Sequence, residues 1–276
     1  MKIRKLLYWL LVILLTATMV ISGSMVARYI LDSVRQRKEY DELAALVEQA
    51  RADALSPTQP ETGTVPETAA AGLPAETEPA ERSILPEYAA LYEKNPDLVG
   101  WMTIEGTPID YPVMQTPDRV DYYLERNFNR EPNSHGCLYV RESCDVFTPS
   151  DNLTIYGHHM KDGSMFSALD HYQKPEFWDE YPTIRFDTLY ARQTYTVFAV
   201  FKTTASAGRG FTYHLFEDAG DEAEFNEFVS TCKNLSFYDT GITPTYGDKL
   251  ITLSTCEYTL ENGRLVVVAV RDESTN

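Results

Sequence analysis

The sequence predicts a mostly β domain, an antiparallel barrel or sandwich of about 190 residues, carried behind one N-terminal membrane helix. Three observations predict it. The run from Leu6 to Ala27 contains no charged residue. From about Ser83 onward, short stretches rich in β-branched and aromatic residues alternate with turn residues. Helical periodicity is confined to a few segments. The chain of 276 residues is 43% hydrophobic and 12% aromatic, which suits a real core and excludes a disordered or collagen-like chain.

The apolar run follows Lys2, Arg4 and Lys5. Its length, at about 1.5 Å per residue, gives about 33 Å of helix, enough for a hydrocarbon core of about 30 Å. A cleaved signal peptide is the alternative, with Ser22, Gly23 and Ser24 as small residues for cleavage, but its apolar stretch is usually only about 7–15 residues. Arg28, Arg35, Arg37 and Lys38 follow the run. Only a short N-terminus precedes it, so the expected orientation is N-terminus inside and domain outside. This gives four segments: residues 1–5 cytoplasmic, 6–27 spanning, 28–84 an extracytoplasmic stalk and 85–276 a folded domain. Within the stalk, 29–50 reads as a charged helix continuing from the membrane. Residues 51 to about 83, rich in Pro, Thr, Glu and Ala, read as a disordered spacer that gives reach.

Strands are expected at Trp101–Ile104, Pro108–Met114, Gly136–Val140, Leu153–Tyr156, Thr194–Phe201, Leu250–Ser254 and Leu265–Val270. Helices are expected at Pro86–Lys94, Phe166–Tyr172 and Asp221–Lys233. In the last, Phe225, Phe228 and Val229 share one face. The net charge is −17, and residues 1–84 hold 9 basic and 11 acidic side chains, leaving 15 and 30 for the rest, a balance of −15. So acidic a domain argues against nucleic acid as a partner, because phosphate binding needs a basic face.

Four cysteines are too few and too scattered for a disulfide scaffold or a zinc site. Cys137 lies in an apolar run and reads as a buried small hydrophobe; a bridge to Cys144 is left open. Cys232 falls near the end of the third helix and reads as structural. Cys256 differs, because it ends the run Ile251-Thr-Leu-Ser-Thr-Cys256, where the chain is expected to leave a sheet. A strand end holds a side chain rigidly and leaves it accessible, which suits a nucleophile. A thiol, with an ordinary pKa of about 8.5, needs a partner to be activated, usually histidine. His135, His171 and His214 stand alone and read as solvated or capping groups. His158 follows a predicted strand in Leu153-Thr-Ile-Tyr-Gly157-His158-His159-Met160, where Gly157 permits a tight turn. The adjacent His158 and His159 are a poor metal pair, since neighbouring side chains diverge on a strand. No cofactor motif is present. Arg264 follows the turn signal Asn262-Gly263 and opens the next strand, which returns it to the level of Cys256. It suits an oxyanion stabiliser; the plain alternative is an ion pair with Glu257 or Glu261. The order His, Cys, Arg is not that of a papain-like protease.

Together, Thr252-Leu-Ser-Thr-Cys256, Tyr156-Gly-His158 and Asn262-Gly-Arg264-Leu-Val-Val resemble a sortase of class B. The similarity begins near Asn95-Pro-Asp-Leu-Val-Gly-Trp101 and runs to about residue 271. It continues through Ile109-Asp-Tyr-Pro-Val113, Asp121-Tyr-Tyr-Leu124 and the stretch from Tyr156 to Phe166. The resemblance implies an eight-stranded sortase β-barrel with an N-terminal helix and a helix in the long connection before the cysteine strand. It implies Cys256 as nucleophile, His158 as acid/base and Arg264 as oxyanion stabiliser, with Leu124, Ser254, Thr255 and Glu257 in a groove for a sorting signal. The implied partners are surface proteins with a C-terminal sorting motif and an amine of a peptidoglycan precursor, in the cell membrane of a Gram-positive bacterium. Three rivals stand beside this: a pilin-polymerising sortase using a pilin lysine, a hydrolytic cysteine protease, and a non-catalytic tethered binding domain in which Cys256 is buried and inert.

Overall fold

A computed structural model describes residues 2–55, 83–206 and 208–273. Its centre is a closed barrel of eight strands in the order β1-β2-β3-β4-β7-β8-β6-β5. The strands are β1 (Leu98–Thr103), β2 (Asp110–Met114), β3 (Leu138–Val140), β4 (Asn152–Tyr156), β5 (Thr183–Thr188), β6 (Thr194–Thr204), β7 (Leu250–Glu257) and β8 (Gly263–Arg271). The expected barrel is present, with the seven anticipated strands in place and one more. That strand, β5, has only two apolar residues, Ile184 and Phe186, alternating with Thr183, Arg185 and Asp187, a signal too short to mark it in the sequence. Asp187 is buried where α1 and α2 meet β5, accepting from Tyr88 Oη at 2.7 Å and from Arg51 Nη2 at 3.2 Å.

The ladders are not all antiparallel as expected. β2 pairs with β3, and β4 with β7, in parallel. Strand periodicity reports which face is buried and is silent on direction, so nothing in the sequence pattern distinguishes the two. Parallel neighbours need long crossovers, and the connection from β6 to β7 carries α4 (Glu222–Leu235). Asp221 caps it by accepting from Glu224 N at 2.9 Å. Phe225, Phe228, Val229 and Cys232 face Phe198, Phe201, Val266 and Val268 of the barrel wall, a second apolar cluster outside the barrel interior. The expected helix at Pro86–Lys94 is α2; the one at Phe166–Tyr172 is a 3-10 helix, Phe166–Gln173, followed by a short α3 at Pro175–Glu180.

The N-terminal helix is longer than a membrane span. α1 runs unbroken from Lys2 to Leu55. Its first part is exposed, long and apolar enough to cross a membrane. Further along, Tyr40, Leu43 and Val47 repeat at helical spacing and are buried on the barrel. Tyr40 packs on Tyr111 with ring centroids 4.9 Å apart, and burial of Leu43 and Val47 contributes about 1.5–3 kcal/mol each. At its end Arg51 donates to Tyr88 Oη at 2.8 Å and lies 3.8 Å from Glu87 Oε1. Residues 28–55 of the expected stalk are therefore helix, part of it seated on the barrel. Residues 51–55 of the expected spacer are also helix, since Arg51 is tied to Tyr88 and Asp187; residues 56–82 of it lie outside the described residues.

Gly100 sits where β1 passes β5. A Cβ there would lie 2.2 Å from the Asp187 carbonyl oxygen, and backbone cannot yield as a side-chain end can. Gly100→Ala is expected to destabilise the barrel by about 1–3 kcal/mol. Differential scanning calorimetry should show this as a fall of about 2–4 °C in Tm per kcal/mol.

Candidate active site

The parallel ladder between β4 and β7 fixes the site. Tyr156 is the register partner of Ser254, and Gly157 N donates to Ser254 O at 3.2 Å, one step beyond. His158 and Cys256 each lie two residues past the Tyr156–Ser254 pair, so both emerge at the same end of the sheet. The antiparallel ladder between β7 and β8 then sets Arg264 directly opposite Cys256. All three side chains line one open cavity of about 460 Å³.

Gly157 is required here by space. A Cβ would lie 2.5 Å from Leu138 Cδ2 and 2.6 Å from the Phe166 ring. The chain turns past that packed spot and delivers the imidazole to the cavity. Its Nε2 lies 2.7 Å from the carbonyl oxygen of Leu124. A carbonyl only accepts, so Nε2 carries the proton, and in the neutral ring Nδ1 is the basic nitrogen.

Cys256 is the half-exposed member of four free cysteines. The other three are buried, and burial pushes the thiol of Cys137 up to about 12 and that of Cys144 up to about 11. They are poor nucleophiles, and the Cys137–Cys144 bridge left open above is not formed. Arg264 donates from Nη1 to Gly263 O at 2.9 Å, and among the described residues no carboxylate pairs with it. Glu257, the partner considered for it, is occupied elsewhere: its carboxylate accepts from Lys202 Nζ at 2.9 Å, Thr259 Oγ1 at 2.6 Å, Thr259 N at 3.0 Å and Leu260 N at 3.1 Å.

Leu124, Ser254 and Thr255 line the cavity as expected of groove residues, whereas Glu257 does not. Its carboxylate is instead taken up by Lys202, Thr259 and Leu260 and closes the β7–β8 turn. Burial would raise its pKa, but the Thr259 and Lys202 hydrogen bonds prevail and hold it at about 2. Several lining residues were not anticipated. Tyr213 and His214 arrive from the β6–β7 connection, and Arg141 follows β3. Tyr213 Oη lies 2.6 Å from Ser254 Oγ. The His214 pKa is lowered by burial and by Arg141 and Arg264. No local pattern marks residues in a long connection as cavity walls. His135, expected as a solvated or capping group, is fully buried between Ser33 and Asp162, partners too remote in sequence to be anticipated.

The family model for the sortase domain matches residues 102–272. Sortase B of Staphylococcus aureus is 31% identical over 191 residues, covering 68% of this chain and 76% of that protein. Sortase B of Listeria monocytogenes is 34% identical over 183 residues, covering 66% and 72%. The solved Staphylococcus aureus sortase B–substrate complex is similar in fold, with a TM-score of 0.72 and 25% identity. That match covers 89% of this chain and all of that one.

Because the folded Glu257 carboxylate ionises below its ordinary value of 4.5, its contribution is present above pH 4.5. It is lost as pH falls towards 2. Glu257→Gln should flatten the acid limb of the Tm–pH profile in that window, measured by calorimetry; an unchanged limb would rule out this anchoring of the hairpin.

Proposed function

The chain belongs to the sortase family, in class B, and is a cysteine transpeptidase; we propose that Cys256 is its nucleophile, His158 its acid/base and Arg264 its oxyanion stabiliser. The observation that carries this reading is the register pairing of Cys256 with an arginine that has no carboxylate partner among the described residues.

In the first half-reaction the Cys256 thiolate attacks the carbonyl carbon of the threonine in a C-terminal sorting motif. The C–S bond forms and the carbonyl electron pair moves to oxygen, where the Arg264 guanidinium stabilises it. Collapse breaks the peptide C–N bond. Imidazolium at His158 protonates the departing amine, leaving a thioacyl-enzyme. In the second half an amine attacks the thioester, His158 accepts its proton, and the Cys256 thiolate leaves. The Nε2–H bond to Leu124 O suits both halves, because it persists in both charge states of the ring and directs Nδ1 as the shuttling nitrogen. Leu124, Ser254 and Thr255 contact the sorting signal. Thr255 Oγ1 is buried there and bonds to nothing among the described residues. The acceptor is the amine of a peptidoglycan precursor, and the donors are surface proteins. Residues 6–27 span the membrane of a Gram-positive bacterium with the catalytic domain, from about residue 85, outside; the acidic surface attracts a cationic acceptor.

The full chain in detergent micelles, incubated with sorting-motif peptides with and without amines, should give amide products only when an amine is supplied, seen by mass spectrometry. Cys256→Ala and Arg264→Ala should abolish product while leaving circular dichroism unchanged, and Arg264→Lys should lose about 10²–10³-fold in kcat. Normal turnover in either alanine variant would sink the assignment.

A further inference from the structure

His158 is held from two sides, by its ring and by its backbone. Its ring donates to Leu124 O, and its own carbonyl accepts from Phe166 N at 2.9 Å. Neither holder belongs to the barrel ladders: Leu124 lies in the β2–β3 connection and Phe166 opens the 3-10 helix, so contacts outside the ladders fix them.

On the Phe166 side, the chain from His159 to Met165 closes a loop. Met165, immediately before Phe166, is fully buried with φ 56° and ψ −132°, a conformation that a side chain adopts only when its surroundings enforce it. Asp162 is the polar centre of that loop. It accepts from Ser164 N and Oγ at 3.1 and 2.6 Å, and from His135 Nε2 at 3.1 Å. It also accepts from Ser33 Oγ at 2.7 Å, and Ser33 lies on α1.

On the Leu124 side, Gly136 has φ 60° and lies so near Leu124 that a Cβ would be 2.4 Å from the same carbonyl oxygen that holds His158. The carbonyl of Gly136 in turn accepts from Gln36 Nε2 at 3.0 Å and from Tyr40 Oη at 3.1 Å, both on α1. Gln36 and Tyr40 are buried in this contact. Three residues within two turns of one helix therefore reach both segments between which the ring is fixed.

We propose that α1 is a brace for His158, with Ser33, Gln36 and Tyr40 as positioning residues for the proton transfer. The proposal rests on the reading of His158 as the acid/base. The apolar stripe of Leu43 and Val47 seats the helix, and the polar residues nearer the membrane end translate that seating into ring orientation. A helix undocked at this end leaves the barrel ladders intact and the imidazole unaligned with Cys256.

The pH dependence of Cys256 alkylation by iodoacetamide tests this without a substrate, since the other cysteines are buried. The full chain in detergent micelles is compared with His158→Ala, with Ser33→Ala/Gln36→Ala/Tyr40→Phe, and with Asp221→Ala, which weakens the distant α4 cap. His158→Ala should lose the low-pH limb of the alkylation profile. The triple variant should lose most of that limb, about tenfold in rate near pH 6.5, with its circular dichroism retained. Restoring the hydroxyl with Ser33→Thr in place of Ser33→Ala should recover part of it, and Asp221→Ala should keep the wild-type profile. A triple variant with the wild-type profile, beside an altered His158→Ala, overturns the brace alone. An equal loss in Asp221→Ala at matched Tm overturns it as a mere stability effect. A wild-type profile in His158→Ala overturns the brace together with the catalytic reading beneath it.

Discussion

The register of β4 against β7 is the constraint on which the rest of this molecule depends. Strand side chains alternate, so a slip of one residue would turn Cys256 away from the cavity. A buried polar pin on the outer face of the sheet guards against that slip. Asn152 accepts from Thr252 Oγ1 at 2.7 Å and donates to Phe216 O at 2.9 Å, and all of Asn152, Thr154 and Thr252 are buried. A buried hydrogen-bonding group shifted out of step would lose its partners and bear its full desolvation cost, about 1–3 kcal/mol. An apolar interface of the same area would tolerate sliding. The reactive end of the sheet is therefore aligned by a side-chain bond at its opposite end.

α1 shows the same division of labour. Apolar side chains in the middle of its docked stretch provide the attraction, and polar residues at either end fix the position. At one end Arg51 joins Tyr88 and Asp187, tying helix to α2 and β5. At the other, Ser33 and Gln36 engage Asp162 and Gly136. Hydrophobic contact is indifferent to small displacements, whereas hydrogen bonds are not.

Much of this was legible in the sequence, for reasons that also explain what was not. Alternation and turn residues located seven strands, and the strand-end settings of Cys256 and His158 singled them out from the other cysteines and histidines. The turn signal Asn262-Gly263 returned Arg264 to Cys256, and Asn262 does adopt φ 51° there. What stayed hidden depended on distant partners. β5 conceals its membership of the barrel because Asp187 is satisfied by Arg51, 136 residues away. His135 looks like a surface histidine until Ser33 and Asp162 cover it. Glu257 was expected in the groove from the resemblance to sortases, and nothing in the local sequence shows that Lys202, Thr259 and Leu260 take up its carboxylate. The docked face of α1 is masked by the charged residues interleaved with Tyr40, Leu43 and Val47.

An unbroken α1 has one more consequence. Between Ala27, where the uncharged run ends, and Ser33, whose hydroxyl donates to Asp162, lie about 9 Å of helix axis. Were residues 6–27 to span a bilayer, as proposed, the barrel would have no leash at this point. It would stand at one height above the lipid, its cavity mouth at one tilt. Its remaining freedoms would be lateral drift and spin about the membrane normal. The search for substrates would then be a planar one, restricted to whatever presents its scissile bond within a thin layer over the membrane.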